Sequence, residues 1–380
     1  MPLPSLTEQL TQLVATPSVS SHQPNWDMGN REVIELLAGW LESIGFAIDI
    51  MPVTGKPNKA NLIATRGSGP GGLVLAGHTD TVPCDENLWQ QDPLKLSDRE
   101  QRFYGLGATD MKGFFPVAIE AARRFTATPL QQPLIVLATA DEESSMSGAR
   151  ELAAQGRPRA RYAVVGEPTG LKPIRMHKGM MMEAVRVRGR AGHSSDPSLG
   201  DNALETMHQV LGALLQFRRR LQAEHRHQGF RIQVPTLNLG CIHGGDNANR
   251  ICGQCELHFD LRPLPGMSND ELRAQIDTQL QPLRDGGADI ELVTLFGGVA
   301  AFEQPADSAL VRAAQRLTGH SAESVAFATE APFLQQLGME TVVMGPGCID
   351  QAHQPNEYIE QKQIQPAVAI LQSLIQEFCL

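Results

Sequence analysis

The 380-residue sequence lacks the features that would place it in a membrane, on nucleic acid or outside the cell. No apolar run approaches the roughly 20 residues that a membrane-spanning helix needs, so no membrane segment is expected. The opening MPLPSLTEQLTQLV has neither the basic start nor the apolar core of a secretory signal, and a cytoplasmic chain is expected. Cationic side chains are in the minority: Lys and Arg number 32 against 42 Asp and Glu, a formal net charge of −10. Phosphate binding rests on clustered Lys and Arg, so nucleic acid is excluded as a partner. The acidic balance suits a cationic small substrate, although a solvated acidic surface is the simpler explanation. Six scattered cysteines (Cys84, Cys241, Cys252, Cys255, Cys348 and Cys379), with no export signal, do not make a disulfide framework. Cys252 and Cys255 form one C-x-x-C. No second Cys/His pair and no thioredoxin-like context accompanies it, so the pair reads as two small apolar residues at the start of a strand. Internal repeats and low-complexity tracts are absent. So is the G-x-S-x-G elbow that Ser194 and Ser195 would need in a serine hydrolase.

What is there is an ordinary globular mix, 42% hydrophobic and 19% charged, long enough for two domains. Leu6, Leu10, Leu13 and Val14 mark a first amphipathic helix, and Val33 to Ile44 a second that stops at Gly45. Strands are expected at 46–51, 61–65, 73–76, 134–140 and 162–165, with helices at 112–124 and 147–154. This alternation predicts an α/β domain built on a mainly parallel sheet. The pattern changes after Lys178. Strands at 182–188, 233–239, 256–262 and 290–295 and helices at 202–224 and 269–283 give the order β-α-β-β-α-β of a ferredoxin-like fold. We therefore expect an inserted domain at 180–296. The enclosing domain is formed by 1–179 and 297–380, completed by a strand at 341–344 and a helix at 363–378.

The polar residues fall where such a sheet would gather them. GHTD (Gly77 to Asp80), DEE (Asp141 to Glu143) and GEPT (Gly166 to Thr169) each follow a predicted strand, and ligands of parallel sheets bind outside the strands' carboxyl ends. One crevice would hold His78, Glu142, Glu143 and Glu167, with Asp110 from GLGATDMKG and His353 from AHQP. Each motif alone reads as an ordinary loop or turn; their joint placement makes the case. Two histidines and three carboxylates suit zinc, cobalt or manganese. Three carboxylates set −3 against the +4 of two divalent ions, and Asp110 has two oxygens with which to bridge them. Asp80, two residues beyond His78, is near enough to accept the imidazole's other N–H and orient the ring. The side chains of Glu142 and Glu143 diverge on an extended backbone, so one binds metal and the other serves as base; spacing leaves open which.

With these residues in view, GHTDTVP, GATDMKG, ATADEES, GEPT and AHQP together resemble the signature set of the dinuclear zinc amidohydrolases, a family that includes succinyl-diaminopimelate desuccinylase, aminoacylase and carboxypeptidase G. GHSSDPSLGDNALE, PTLNLGCIHGGDNANRIC, FDLRPLPGM and TEAPF bring the likeness closest to the bacterial branch acting on N-acetyl-L-ornithine. The resemblance implies metal-dependent hydrolysis of that amide, with acetylcitrulline or succinyl-diaminopimelate as alternative substrates and a non-catalytic binding module as the reading from another class. It implies two divalent ions, zinc first and cobalt also suited. His78 would ligate one ion, His353 the other, Asp110 both, with Glu143 and Glu167 completing the set and a cis Asp110–Met111 peptide. Glu142 would be the general base and His193 would stabilise the oxyanion from a homodimer's lid. Asn249, Arg250, Arg262, Gly345 and Gly347 are candidates for the substrate carboxylate, although Arg262 reads equally well as a structural salt-bridge residue. Glu330 is the candidate for the substrate ammonium, set against the ordinary reading of a surface glutamate.

Overall fold

Four runs of uninterrupted apolar residues set the frame, because a strand buried on both faces has no polar side to alternate with. Leu73–His78, Leu134–Thr139 and Tyr162–Pro168 are buried throughout, and Glu340–Gly345 at all but its first residue. A computed structural model describes residues 3–380; Met1 and Pro2, which open the expected 1–179 segment, lie outside the described residues. The chain divides into two compact units.

The first unit comprises 1–175, 304–323 and 329–380. Its main sheet runs in the order Ala47–Val53, Lys56–Arg66, Leu134–Thr139, Leu73–His78, Tyr162–Pro168, Glu340–Gly345. The last four are mutually parallel and the first two join antiparallel, so a parallel centre carries an antiparallel edge. Strand side chains alternate between faces. Leu73, Leu75, Leu134, Val136, Tyr162, Val164, Val342 and Met344 share one core with helices Leu6–Ala15, Arg31–Ser43, Phe114–Arg123, Ala309–Thr318 and Gln361–Cys379. Helix Leu6–Ala15 begins at a capping box: Ser5 receives the Glu8 N–H, and Glu8 receives the Ser5 N–H. A separate small antiparallel sheet joins Tyr358–Glu360, Arg102–Tyr104 and Ser97–Arg99. The parallel register brings His78 opposite Thr139 and sets Glu167 just past Val165, so three loop-facing strand ends fall together.

The second unit comprises 176–303 and 324–328, extending past the expected 180–296 at both ends. Its elements follow the order Met180–Arg188, Ala203–Glu224, Thr236–Gly244, Gln254–Arg262, Asn269–Asp285, Asp289–Val299, which is the anticipated β-α-β-β-α-β. The antiparallel sheet is ordered Thr236–Gly244, Gln254–Arg262, Met180–Arg188, Asp289–Val299, so the first strand in sequence is interior. Strict alternation along Gln254–Arg262 turns Cys255, Leu257, Phe259 and Leu261 onto the two helices. Asn202 and Ser268 cap those helices by accepting the N–H groups of Leu204 and Glu271. Among the described residues all six cysteines are unpaired, with Cys252 and Cys255 buried, and no helix is long and apolar enough to cross a membrane.

Candidate metal centre

The first unit brings together every residue expected to hold metal. His78 ends its strand, and its Nδ1–H donates to the backbone carbonyl of Asp80 at 2.9 Å. The expected acceptor was the Asp80 carboxylate, but that group stands 3.7 Å away. It is drawn instead to two backbone donors, accepting the N–H groups of Glu142 at 3.2 Å and Glu143 at 3.0 Å. A carbonyl only accepts, so a neutral His78 ring would present its lone pair at Nε2. That atom lies 3.2 Å from Asp110 Oδ1. The other oxygen of Asp110, Oδ2, lies 3.4 Å from His353 Nε2, which is also 3.0 Å from Glu143 Oε2. Asp110 thus divides its two oxygens between the two histidines. The Asp110–Met111 peptide is cis. Ligand atoms of His78, Asp110 and Glu143 lie within 4.8 Å of one another, as do those of His78, Glu142 and Glu167.

Lone pairs and carboxylate oxygens at these separations repel unless a cation or proton lies among them. Burial, then the charges of neighbouring carboxylates, push Glu142 and Glu167 well above the usual carboxylate range. Burial and Asp110 raise Glu143 as well. Asp110 goes the other way: burial opposes its ionisation, but hydrogen bonds to His353 and His78 hold it below its ordinary value. His353, hydrogen-bonded to Asp110 and Glu143, is pushed up to about 10. Buried carboxylates crowded together, with imidazole nitrogens facing inward, fit divalent metal ions by their donor chemistry.

Asp141, for which the sequence suggested no role, anchors this array. It is fully buried with φ +62°, and it pairs with Lys56 and Lys59 while accepting from Ser147 Oγ at 2.7 Å and Ser20 Oγ at 3.0 Å. Burial works against its charge, but these partners hold it down to about 2. Lys59 reaches on to Asp27 at 2.6 Å. The turn that presents Glu142 and Glu143 therefore hangs from a buried ionic knot. Glu357 was likewise unmarked by the sequence, and it too is buried.

Other predicted residues are distributed over both units. In the first, Glu330 is 2% exposed rather than on the surface. Among the described residues its Oε1 has no hydrogen-bond partner, and burial raises its carboxyl to about 7. The N–H groups of Gly345 and Gly347 donate to Thr169 Oγ1 and Gln363 Oε1, so neither is free to hold a substrate carboxylate. In the second unit His193 is exposed and forms an isolated antiparallel bridge with Arg250. Its Nδ1 accepts the Ser195 N–H at 3.2 Å, which leaves the proton of a neutral ring on Nε2. Arg250 is paired with Asp246 at 2.6 Å, Arg262 with Asp260 at 2.9 Å, and the Asn249 carbonyl accepts the Ser194 N–H.

Comparison with known proteins follows the same lines. The chain is 47% identical over 378 residues to acetylornithine deacetylase of Pasteurella multocida (strain Pm70), covering 99% of each chain. It is 49% identical over 380 residues to acetylornithine deacetylase of Vibrio cholerae serotype O1 (strain M66-2), covering 100% of both. Among solved structures it resembles the M20 family metallo-carboxypeptidase Sso-CP2 from Sulfolobus solfataricus, with TM-score 0.79, 17% identity and coverage of 98% and 99%. It also resembles Bacillus subtilis YXEP, described as a dinuclear metal binding peptidase, with TM-score 0.66, 16% identity and coverage of 98% of each. The model of peptidase family M20/M25/M40 matches residues 74–377, which span the ligand-bearing loops from His78 to His353. The chain belongs to peptidase family M20/M25/M40.

Proposed function

We propose that this chain hydrolyses N2-acetyl-L-ornithine to L-ornithine and acetate, a step toward arginine, using two divalent metal ions. The observation that carries the reading is Asp110 with its two oxygens turned to different histidines amid Glu142, Glu143 and Glu167. The full-length likeness to acetylornithine deacetylases directs the reading to ornithine rather than to acetylcitrulline or succinyl-diaminopimelate. A module that only binds has no use for a base-competent carboxylate beside a complete ligand set, which favours the enzyme.

In the roles we assign, His78 and Glu167 would hold one ion, His353 and Glu143 the other, and Asp110 would serve both; zinc suits this set best and cobalt also fits it. When bound, such ions lower the pKa of a bound water to about 7 and polarise an amide carbonyl. Glu142 accepts the attacking water's proton and delivers it to the α-amine of the departing ornithine. Asp80 keeps His78 in one tautomer through its carbonyl and aligns Glu142 and Glu143 through its carboxylate. His193 offers Nε2–H to the oxyanion. We assign the substrate carboxylate to Asn249, Arg250 and Arg262, with Gly345 and Gly347 contributing the turn they form. The side-chain ammonium goes to Glu330, whose unsatisfied buried oxygen favours a cation. Residues 180–296 are read as the lid and dimerisation element of a cytoplasmic homodimer, and 1–179 with 297–380 as the catalytic domain.

A panel of N-acetylornithine, acetylcitrulline and succinyl-diaminopimelate on metal-reconstituted protein, scored by acyl and free-amine release, tests this. The reading expects N-acetylornithine to lead in kcat/KM by at least about tenfold, a discrimination of ~1.4 kcal/mol. A panel led by another substrate rejects it.

A further inference from the structure

Glu357 stands four residues beyond His353 and is buried. Among the described residues no cationic side chain hydrogen-bonds to its carboxylate. Oε1 accepts the backbone N–H of Thr109 at 2.7 Å and of Asp110 at 2.9 Å, and Oε2 accepts that of Gly107 at 2.9 Å. The two segments are stitched together further. The Gly105 N–H donates to the Glu357 carbonyl at 3.0 Å, and the Thr109 hydroxyl donates to the Tyr358 carbonyl. Strand Tyr358–Glu360 pairs with Arg102–Tyr104, which leads into the same turn. Gly107 has φ +77°, and a Cβ there would lie 2.8 Å from the Thr81 methyl, so the turn is drawn in too closely for a side chain.

A buried carboxylate is costly unless its oxygens are hydrogen-bonded. Here every donor found comes from the backbone of one loop, and that loop ends at Asp110. A glutamine of the same shape satisfies the cradle only in part, because its NH2 meets an N–H where an oxygen is needed. We infer that Glu357 is a positioning residue. It fixes the backbone of the 105–110 loop so that the oxygens of Asp110 divide between His78 and His353. Because it belongs to the His353 loop, it also makes those two ligand loops one unit and so governs divalent-metal affinity. The inference rests on Asp110 being the shared ligand in the proposed function. A role limited to general stability would leave metal affinity untouched in a folded variant.

The test is chelator-competition titration of the full chain with Zn2+ alone as probe, comparing wild type, E357Q and E357D, with turnover at limiting and saturating Zn2+. The expected result is two ions on wild type and an affinity about 10–100-fold weaker for at least one ion on E357Q. Most of the kcat of E357Q returns at saturation, and E357D lies between. An E357Q affinity within about threefold of wild type overturns the inference, as does a turnover defect that persists at full two-ion occupancy. Should E357Q fail to accumulate as folded protein, E357D carries the comparison: it keeps the charge, but its shorter arm cannot reach all three N–H groups, and an affinity within about threefold of wild type overturns the inference just as well. Wild type that binds no Zn2+ overturns the functional reading beneath it, a result separable from normal wild-type binding with an unaffected variant.

Discussion

A neutral imidazole whose Nδ1–H is committed to a carbonyl has a single lone pair to give, and on His78 that pair would face Asp110. From that constraint the residue-scale predictions follow. Glu142→Ala should retain two ions while turnover falls by about 10²–10⁴, the usual contribution of a positioned general base; metal analysis alongside acetate release checks both halves, and activity within a few-fold of wild type removes Glu142 from that role. His353→Ala should lower metal content, and undiminished two-ion occupancy would take His353 out of the ligand set. His177 supplies a pH prediction away from the centre. It is fully buried, donates Nδ1–H to the Lys178 carbonyl, and burial depresses its pKa to about 4. As pH falls below the unfolded value of about 6.5, the unfolded chain gains a proton that the folded chain refuses. Stability is therefore lost between about pH 6.5 and 4, by up to roughly 3 kcal/mol. Replacing His177 with Phe should flatten that part of the urea-denaturation pH profile; an unchanged slope contradicts the assignment. Five of the six central residues were legible because each follows an apolar run or sits in a Gly-rich loop; His353, in AHQP, was legible only through the resemblance. Asp141 and Glu357 were not, because their partners are lysines and backbone N–H groups 82 to 250 residues distant in sequence, which spacing cannot reveal.

At the scale of elements, the long strands were readable because a strand covered on both faces is apolar along nearly its whole length, with a polar residue only at the end. The three-residue strands Ser97–Arg99, Arg102–Tyr104 and Tyr358–Glu360 were not, since three residues establish no period. Helix Ala309–Thr318 was not among the expected elements, although Ser308 caps it and Leu310, Val311 and Ala314 mark its buried face. Tertiary pairing also set the sheet's antiparallel edge, which no local pattern distinguishes from a parallel one. The Glu142–Glu143 turn depends on Asp141. Asp141→Ala would leave Lys59, 6% exposed, with only the partly exposed Asp27, and should cost about 3 kcal/mol in urea denaturation. A loss below about 1 kcal/mol would mean that the ionic knot is not what holds the turn.

For the molecule as a whole, two units divide the labour in the proposed reading: the first carries the metal ligands, and the second carries His193. His193→Ala should therefore lower kcat while leaving metal content and the unfolding of the metal-free protein unchanged; loss of metal from this variant would refute the division. Metal binding to the folded state alone should also raise stability, by about 2.7 kcal/mol at a free ion concentration one hundred times Kd. In the proposed function His78, Asp110, Glu142, Glu143, Glu167 and His353 act together to use divalent ions in amide hydrolysis. The most direct test is acetate release from N-acetylornithine by rigorously metal-stripped protein titrated with Zn2+. The account predicts no turnover from the stripped chain and recovery that levels off at two equivalents; full activity without metal would contradict it.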